Sequence, residues 1–263
     1  MIRGLYSAAA GLLSTNVEEG VVADNLANVQ TAGYKARNAV LATFDTMAVS
    51  RVQPFAAALG AAAGTTVTPL AALPSGALVN ETAVDWTEGP LQQSNSPLAV
   101  AIDGPGFFAV STPQGTEYTR GGDFRFNAQG ALTNPAGAPV LGANGAPITV
   151  PGGQSGAPVT IDPSGQVLTG GRAVATIGVF APPTNALSPV GGGLYALAAG
   201  TPAPGPQPGA VLRPGFIEGS NVDLVGEMSA LMQMQQAFAS DAQAVQANAT
   251  AMQTAATQVG SVA

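Results

Sequence analysis

Residues 224–259 read LVGEMSALMQMQQAFASDAQAVQANATAMQTAATQV. Within them Leu224, Met228, Leu231, Gln235, Phe238, Ala242, Val245, Ala249, Met252, Ala256 and Val259 recur alternately four and three apart. On an α-helix this spacing sets them all on one seam, the a and d positions of a coiled coil. Only Gln235 among them is polar. An apolar seam of that length predicts a partner along the whole helix, because apolar area left in water forfeits its burial. At 1.5 Å rise per residue the helix spans about 55 Å. That is too long for one wall of a compact domain and suggests a rod-like part or an assembly interface.

The first thirty residues supply a candidate partner. Met1, Leu5, Ala8, Leu12, Thr15, Glu19, Val22, Leu26 and Val29 follow the same alternation, with polar interruptions at Thr15 and Glu19. A helix from about Ile2 to Val29 is predicted, with Gly33 as its C-terminal stop. Asn25 and Asn28 near its end are poor helix formers that cap or cross-link backbone groups.

Between the helices the signals change. Residues 36–83 contain Pro54, Pro69 and Pro74 and an alanine- and threonine-rich run. They read as an extended connection, with a helix over Leu41–Val52 as the alternative. From Val84 to Pro214 short apolar runs alternate with turn residues. Strands are predicted at Leu98–Ile102, Phe107–Val110, Phe124–Phe126, Ile148–Val150, Val159–Ile161, Val174–Phe180 and Leu194–Leu197. Turns are predicted at Asp103-Gly104, Pro113-Gln114-Gly115, Asn127–Gly130, Asn134-Pro135, Asn144-Gly145 and Asp162–Gly165. Close spacing without intervening helices argues for antiparallel sheet. Ser220 with Asp223 three residues on resembles a capping box opening the last helix.

The expected fold class is therefore α+β. A β-rich domain, 84–214, is inserted between terminal helices, 1–35 and 215–263, that pair as a coiled coil across the connection 36–83. Residues assigned to an assembly interface are Leu5, Leu12, Asn25, Leu26, Asn28, Leu224, Met228, Leu231, Phe238, Val245 and Met252.

Composition excludes several function classes. The chain of 263 residues carries a net charge of −7, with Lys35 as its only lysine and its arginines scattered. Phosphate-directed nucleic-acid binding needs concentrated positive charge and is not expected. There is no cysteine and no histidine. Disulfides, thiolate or imidazole metal sites and His-dependent triads are excluded, and no metal or cofactor is expected. No apolar run reaches the roughly twenty residues of a membrane span. The N-terminal apolar stretch is periodic and diluted by Ser7, Ser14, Thr15 and Asn16, so it reads as a retained helix and not a cleaved signal.

Motifs suggesting chemistry have plainer readings. Gly104-Pro105-Gly106-Phe107-Phe108-Ala109 resembles a dinucleotide fingerprint, but a hairpin and not a helix is expected to follow. The pairs Asp103 with Asp123 and Asp85 with Glu88 offer two carboxylates, as a glycosidase needs, although surface turns explain them better. Arg120 and Arg125 are expected to pair with Asp103, Glu117 or Asp123 within the sheet, or with a neighbouring subunit.

Three stretches resemble one family. Asp24-Asn25-Leu26-Ala27-Asn28-Val29-Gln30-Thr31-Ala32-Gly33-Tyr34-Lys35 is similar to the N-terminal signature of bacterial flagellar rod and hook proteins. Ala101–Val110 followed by Tyr118–Phe124 resembles their central β motif, and Glu218–Asp223 plus the final helix resembles their C-terminal signature. Length and the run Pro139-Val140-Leu141-Gly142…Gly145-Ala146-Pro147-Ile148 are most like the FlgF and FlgG type, the run leaning to FlgF.

The resemblance implies a structural subunit of the basal-body rod, a non-enzyme that polymerises into a helical tube crossing the periplasm and transmits torque from motor to hook. It implies other rod and hook subunits and the flagellar type III export apparatus as partners, in a helical homo- or hetero-oligomer. It implies neither nucleic acid nor membrane insertion. One departure is that the family's final helix usually carries an arginine and an acid near Gln236–Ser240, whereas Gln235–Ser240 here is uncharged. The alternative expectation is a secreted carbohydrate- or cell-wall-binding or hydrolysing β protein with a helical oligomerisation stalk.

Overall fold

The structure, a computed structural model, describes residues 2–43, 47–55, 64–73, 77–150, 159–207 and 209–260. Helix α1 runs Ile2–Ala27 and helix α2 runs Leu224–Gly260, with an antiparallel β-rich middle between them. The fold is α+β. Two compact units divide the chain. One holds Met1–Asp24, Arg37–Ala83 and Val225–Ala263, and the other holds Asn25–Ala36 and Val84–Leu224.

The first unit contains most of both helices and four strands, β1 (Arg37–Thr43), β2 (Met47–Phe55), β3 (Gly64–Leu73) and β4 (Ala77–Val84, whose last residue falls in the second unit). β1 pairs with β4, and β2 pairs antiparallel with β3. The helix considered over Leu41–Val52 does not form among the described residues of that stretch, where 41–43 lie in β1 and 47–52 in β2. The strand ladder satisfies their backbone groups instead.

The second unit carries β5 (Leu91–Gln93), β6 (Val100–Asp103), β7 (Phe107–Thr112), β8 (Gly115–Thr119), β9 (Arg125–Phe126), β10 (Leu132–Thr133), β11 (Val159–Ile161), β12 (Gln166–Thr169), β13 (Arg172–Thr176), β14 (Val179–Phe180), β15 (Leu187–Gly191), β16 (Leu194–Leu197), β17 (Val211–Pro214) and β18 (Phe216–Glu218). Its largest sheet has the order β14-β7-β8-β16-β15. β11, β12 and β13 form a second sheet, and β5·β18, β6·β17 and β9·β10 are two-stranded. The two late strands β17 and β18 thus return to β6 and β5.

β7 explains the layering. Its side chains alternate faces. Phe108 and Val110 enter a core with Val100, Ile102, Phe124, Leu132 and Val140, while Phe107 and Ala109 enter another with Tyr118, Phe180, Leu187 and Tyr195. A strand buried on both sides needs the unbroken apolar run that the sequence shows there. Phe124 packs edge-on against Phe108, with ring centroids 5.1 Å apart.

Several expected elements differ in detail. Val174–Phe180 breaks into β13 and β14 because the backbone between them turns to other partners, the Ile177 amide donating to the Gly165 carbonyl and the Gly178 amide to the Leu141 carbonyl. Ile148–Val150 forms bridges and hydrogen bonds to the 130–132 backbone without becoming a strand. The hairpin expected after Gly106 forms between β7 and β8, whereas the turn at Gly104–Gly106 joins strands of different sheets, since β6 pairs with β17. Ser220 does not cap α2. Its hydroxyl accepts the Val222 amide at 3.3 Å, and the helix begins two residues later, directly after Asp223.

Candidate functional site: a buried charged neck

A dense polar constellation lies in the β unit, where Asn25–Ala36 and Glu218–Asn221 meet the middle of the chain. α1 ends at Ala27, and a turn follows in which the Thr31 amide donates to the Asn28 carbonyl at 3.0 Å. The Thr31 hydroxyl also donates to Asn28 Oδ1 at 3.1 Å. The Tyr34 hydroxyl donates back to Asn25 Oδ1 at 3.2 Å. Asn25 is thereby buried as the polar end of the helix, in keeping with the local backbone role that asparagine favours.

Gly33 adopts φ +69° and donates its amide to the Glu218 carbonyl at 2.8 Å. A Cβ there would stand 2.2 Å from the Gly121 nitrogen. Both the left-handed conformation and the close backbone approach demand glycine. Gly89 makes a close backbone approach from the other side, with its Cβ position 2.0 Å from the Gly219 carbonyl oxygen.

Three charges fill the space these approaches leave. Lys35 Nζ donates to Glu218 Oε1 at 2.6 Å and to the Thr87 carbonyl, and both charged side chains are only 1% exposed. Glu218 Oε1 also accepts the Gly89 amide at 3.0 Å. Arg120 Nε stands 2.8 Å from Glu218 Oε2, a charge contact without hydrogen-bond alignment. Arg120 Nη1 donates to the carbonyls of Gly104 and Gly106 at 2.8 and 2.7 Å, and Nη2 reaches Glu88 at 3.3 Å. Its guanidinium lies 5.8 Å from the Phe107 ring centroid, in cation–π range. Asn221 closes the neck. Its Oδ1 accepts the Ala36 amide at 2.7 Å, and its Nδ2 donates to the Asp85 carbonyl at 3.0 Å. Trp86 covers the edge, 5.5 Å from Phe107 and 5.0 Å from Tyr195 by ring centroids.

The chemistry of this site is cohesion. Its cations and carboxylates face one another, Lys35 and Arg120 meeting Glu218 and Arg120 also meeting Glu88. The glycine turn aims carbonyls at Arg120, the reverse of the amide cradle a pyrophosphate requires. The expected arginine pairings are corrected. Arg120 finds Glu218 and Glu88, Arg125 donates to the Pro135 carbonyl, and Asp103 pairs with Arg213 at 2.7 Å. Of the carboxylate pairs, Asp85 accepts the Thr87 amide, while Glu88 turns to Arg120. Among the described residues, no group of three or more carboxylates is placed to hold a metal ion, and no helix is long and apolar enough to cross a membrane.

The residues assigned to an interface separate between the two units. Asn25 is buried and Asn28 half-buried, and together with Leu26 they belong to the β unit. Leu12 lies half-buried on α1, and Leu5 lies in α1 with its side chain outside the described residues. Leu231, Val245 and Met252 are half-buried on α2. Leu224, Met228 and Phe238 are 44%, 50% and 42% exposed. The less exposed stripe of α2 is Glu227, Leu231, Met234, Asp241, Val245, Asn248, Met252 and Ala255. It keeps the alternation of three and four but is turned one residue from the expected a positions. Met234 offers more apolar area than Gln235. Gly11 on α1 leaves room for Asp241, whose Oδ2 lies 2.7 Å from where a Cβ would be.

Lys35, Arg120, Glu218 and Asn221 were not singled out by sequence reasoning as a site. A signal was available, because each lies inside one of the three quoted motifs, and the neck is where those motifs converge.

The comparisons with known proteins agree. The family model for the flagellar hook protein FlgE/F/G D1 domain matches residues 101–169, and that for the flagellar basal-body rod FlgEFG protein C-terminal region matches residues 213–258. The flagellar basal-body rod protein FlgG of Bacillus subtilis is 33% identical over 260 residues, covering 93% of this chain and 94% of the relative. The chain belongs to the flagellar hook and basal-body rod family. Within it the resemblance is to the FlgF and FlgG type. The FlgF rod protein of Caulobacter vibrioides is 30% identical over 265 residues, covering all of both chains. A flagellar hook-basal body complex protein of B. subtilis, FlhO, is 27% identical over the full length of both. Membership makes the chain a structural subunit of the flagellar rod, located in the basal body, and gives the carbohydrate-active alternative no support.

Proposed function

We propose that the chain acts without catalysis, as one repeating unit of a helical tube that carries torque from motor to hook. The observation that carries this reading is the contrast within family membership: the neck matches its charges internally, whereas the helices leave large apolar side chains in water. Val225, Met228, Met232 and Phe238 on α2, and Leu13 and Val17 on α1, are exposed. Contacts between like subunits that do not close by rotation generate open helical filaments. Apolar area covered by a neighbour contributes roughly 25 cal/mol per Å².

In this reading α1 and α2 pair as a coiled coil, and Leu5, Leu12, Leu26, Leu224, Met228, Leu231, Phe238, Val245 and Met252 take part in assembly. Asn25 and Asn28 set the end of α1. Other rod and hook subunits are the partners in a helical homo- or hetero-oligomer, delivered by the flagellar export apparatus. The uncharged stretch Gln235–Ser240 leaves packing, not ion pairing, to hold that part of the contact.

The test is Leu231→Asp combined with Phe238→Asp. Rods fail to assemble and cells lose motility, while circular dichroism of the purified chain keeps its β signal. Normal motility in the double variant would refute the reading.

A further inference from the structure

Each buried charge of the neck comes from a different part of the chain. Lys35 lies in the N-terminal segment, Arg120 follows β8, and Glu218 ends β18. Glu218 is the only anion of the group that is fully buried, since Glu88 is half-exposed. We infer that this cluster is a latch that makes docking of the N-terminal segment, 25–36, and of the C-terminal segment, 216–223, onto the β unit mutually dependent.

The argument is electrostatic. With the C-terminal segment undocked, Lys35 keeps only the Thr87 carbonyl, and Arg120 keeps Glu88 and two carbonyls. Two cations then share a buried site without their common anion. With the N-terminal segment undocked, the Glu218 carbonyl loses the Gly33 amide and its carboxylate loses Lys35. A buried charge stripped of its partner is strongly unfavourable, whereas an apolar replacement of the whole pair is often tolerated. Half-docked states are therefore disfavoured from either side, and the coupling is reciprocal. The backbone follows the same logic, because Ala36 donates to Asn221 and Gly33 to Glu218 across the two segments. The device belongs to the β unit and goes beyond the polymer reading. It makes the roots of both terminal helices part of one cooperative body before any neighbour is met.

Amide hydrogen exchange on the full chain tests it. Tyr34, bonded to the Thr31 carbonyl, and Lys35, bonded to the Tyr195 hydroxyl, report the N-terminal segment, and Gly219, bonded to the Pro90 carbonyl, reports the C-terminal one. Leu132 and Val140, bonded within the core, are controls. In Glu218→Gln, both reporter sets exchange about 100-fold faster or more, while the controls stay protected. Adding Lys35→Met removes the stranded cation and returns both sets to within about tenfold of the wild type. Faster exchange in one set alone overturns the latch. So does a double variant that exchanges as fast as Glu218→Gln. If Glu218→Gln loses the controls as well, Glu218→Asp, which keeps the charge but shortens its reach, must raise both sets together, and a rise confined to one set again overturns the inference.

Discussion

The neck and the helix α2 solve opposite problems with the same chain. At the neck a lysine, an arginine and a glutamate are withdrawn from water, and their charges meet one another and nearby carbonyls. Along α2 the only charge after Glu227 is Asp241, yet apolar side chains such as Val225, Met228 and Met232 stay in water. A buried ion cluster is often no better than an apolar core for stability, but stranding one of its charges is strongly unfavourable. An exposed apolar face is unfavourable in solution and rewarding on contact. The first arrangement specifies one fold within the molecule, and the second suits a surface that other subunits cover.

Substituting the same residue type in the apolar core of the β unit and on α2 extends that contrast most. Phe108→Ala, at a site with no exposure, destabilises the purified chain by about 3–5 kcal/mol in urea unfolding. Phe238→Ala, at 42% exposure, costs the monomer under about 1 kcal/mol, and its effect appears in assembly instead. Equal losses in the monomer would erase the distinction between the regions.

Glycines give the next largest difference. Gly33→Ala must hold a left-handed backbone against the Gly121 nitrogen and costs upward of about 2 kcal/mol. Gly20→Ala on α1 meets open space and stabilises the helix by up to about 1 kcal/mol, read from the thermal midpoint.

Two pH effects are smaller. Burial raises the Tyr118 phenol above its ordinary 10.0. A raised folded value means this contribution is intact below pH 10 and is lost as pH climbs through the folded value. Alkaline unfolding of Tyr118→Phe lacks that component.

The smallest effect is at Asp162, where a bond from the Ser164 hydroxyl, then one from the Gln166 amide, hold the carboxyl below 3.8. This contribution is present above the unfolded value and is lost as pH falls through the folded one. Ser164→Ala moves the Asp162 titration, followed by carbon-detected NMR, upward toward 3.8.

Local chemistry alone determined much of the chain. The 4-3 apolar rhythm specified two terminal helices, Val159–Ile161 and Leu194–Leu197 specified their strands, and Asp162–Gly165 specified its turn, with Gly165 at φ +81°. Polar strands such as Leu91–Gln93 and Gly115–Thr119, or the proline-bearing Leu187–Gly191, carry no such periodic signal and exist because a partner strand satisfies their backbone. The same holds for the residues 37–43 and 77–84, which pair with each other across the intervening chain. Three separated motifs were legible as motifs, but their meeting was not. Lys35 and Glu218 are far apart in sequence, and only the folded chain sets them 2.6 Å apart. Spacing along a helix or strand is fixed by backbone geometry and can be read from a window of residues. The partner of a buried charge is fixed by which distant segments share one low-dielectric space, and that is decided by tertiary structure.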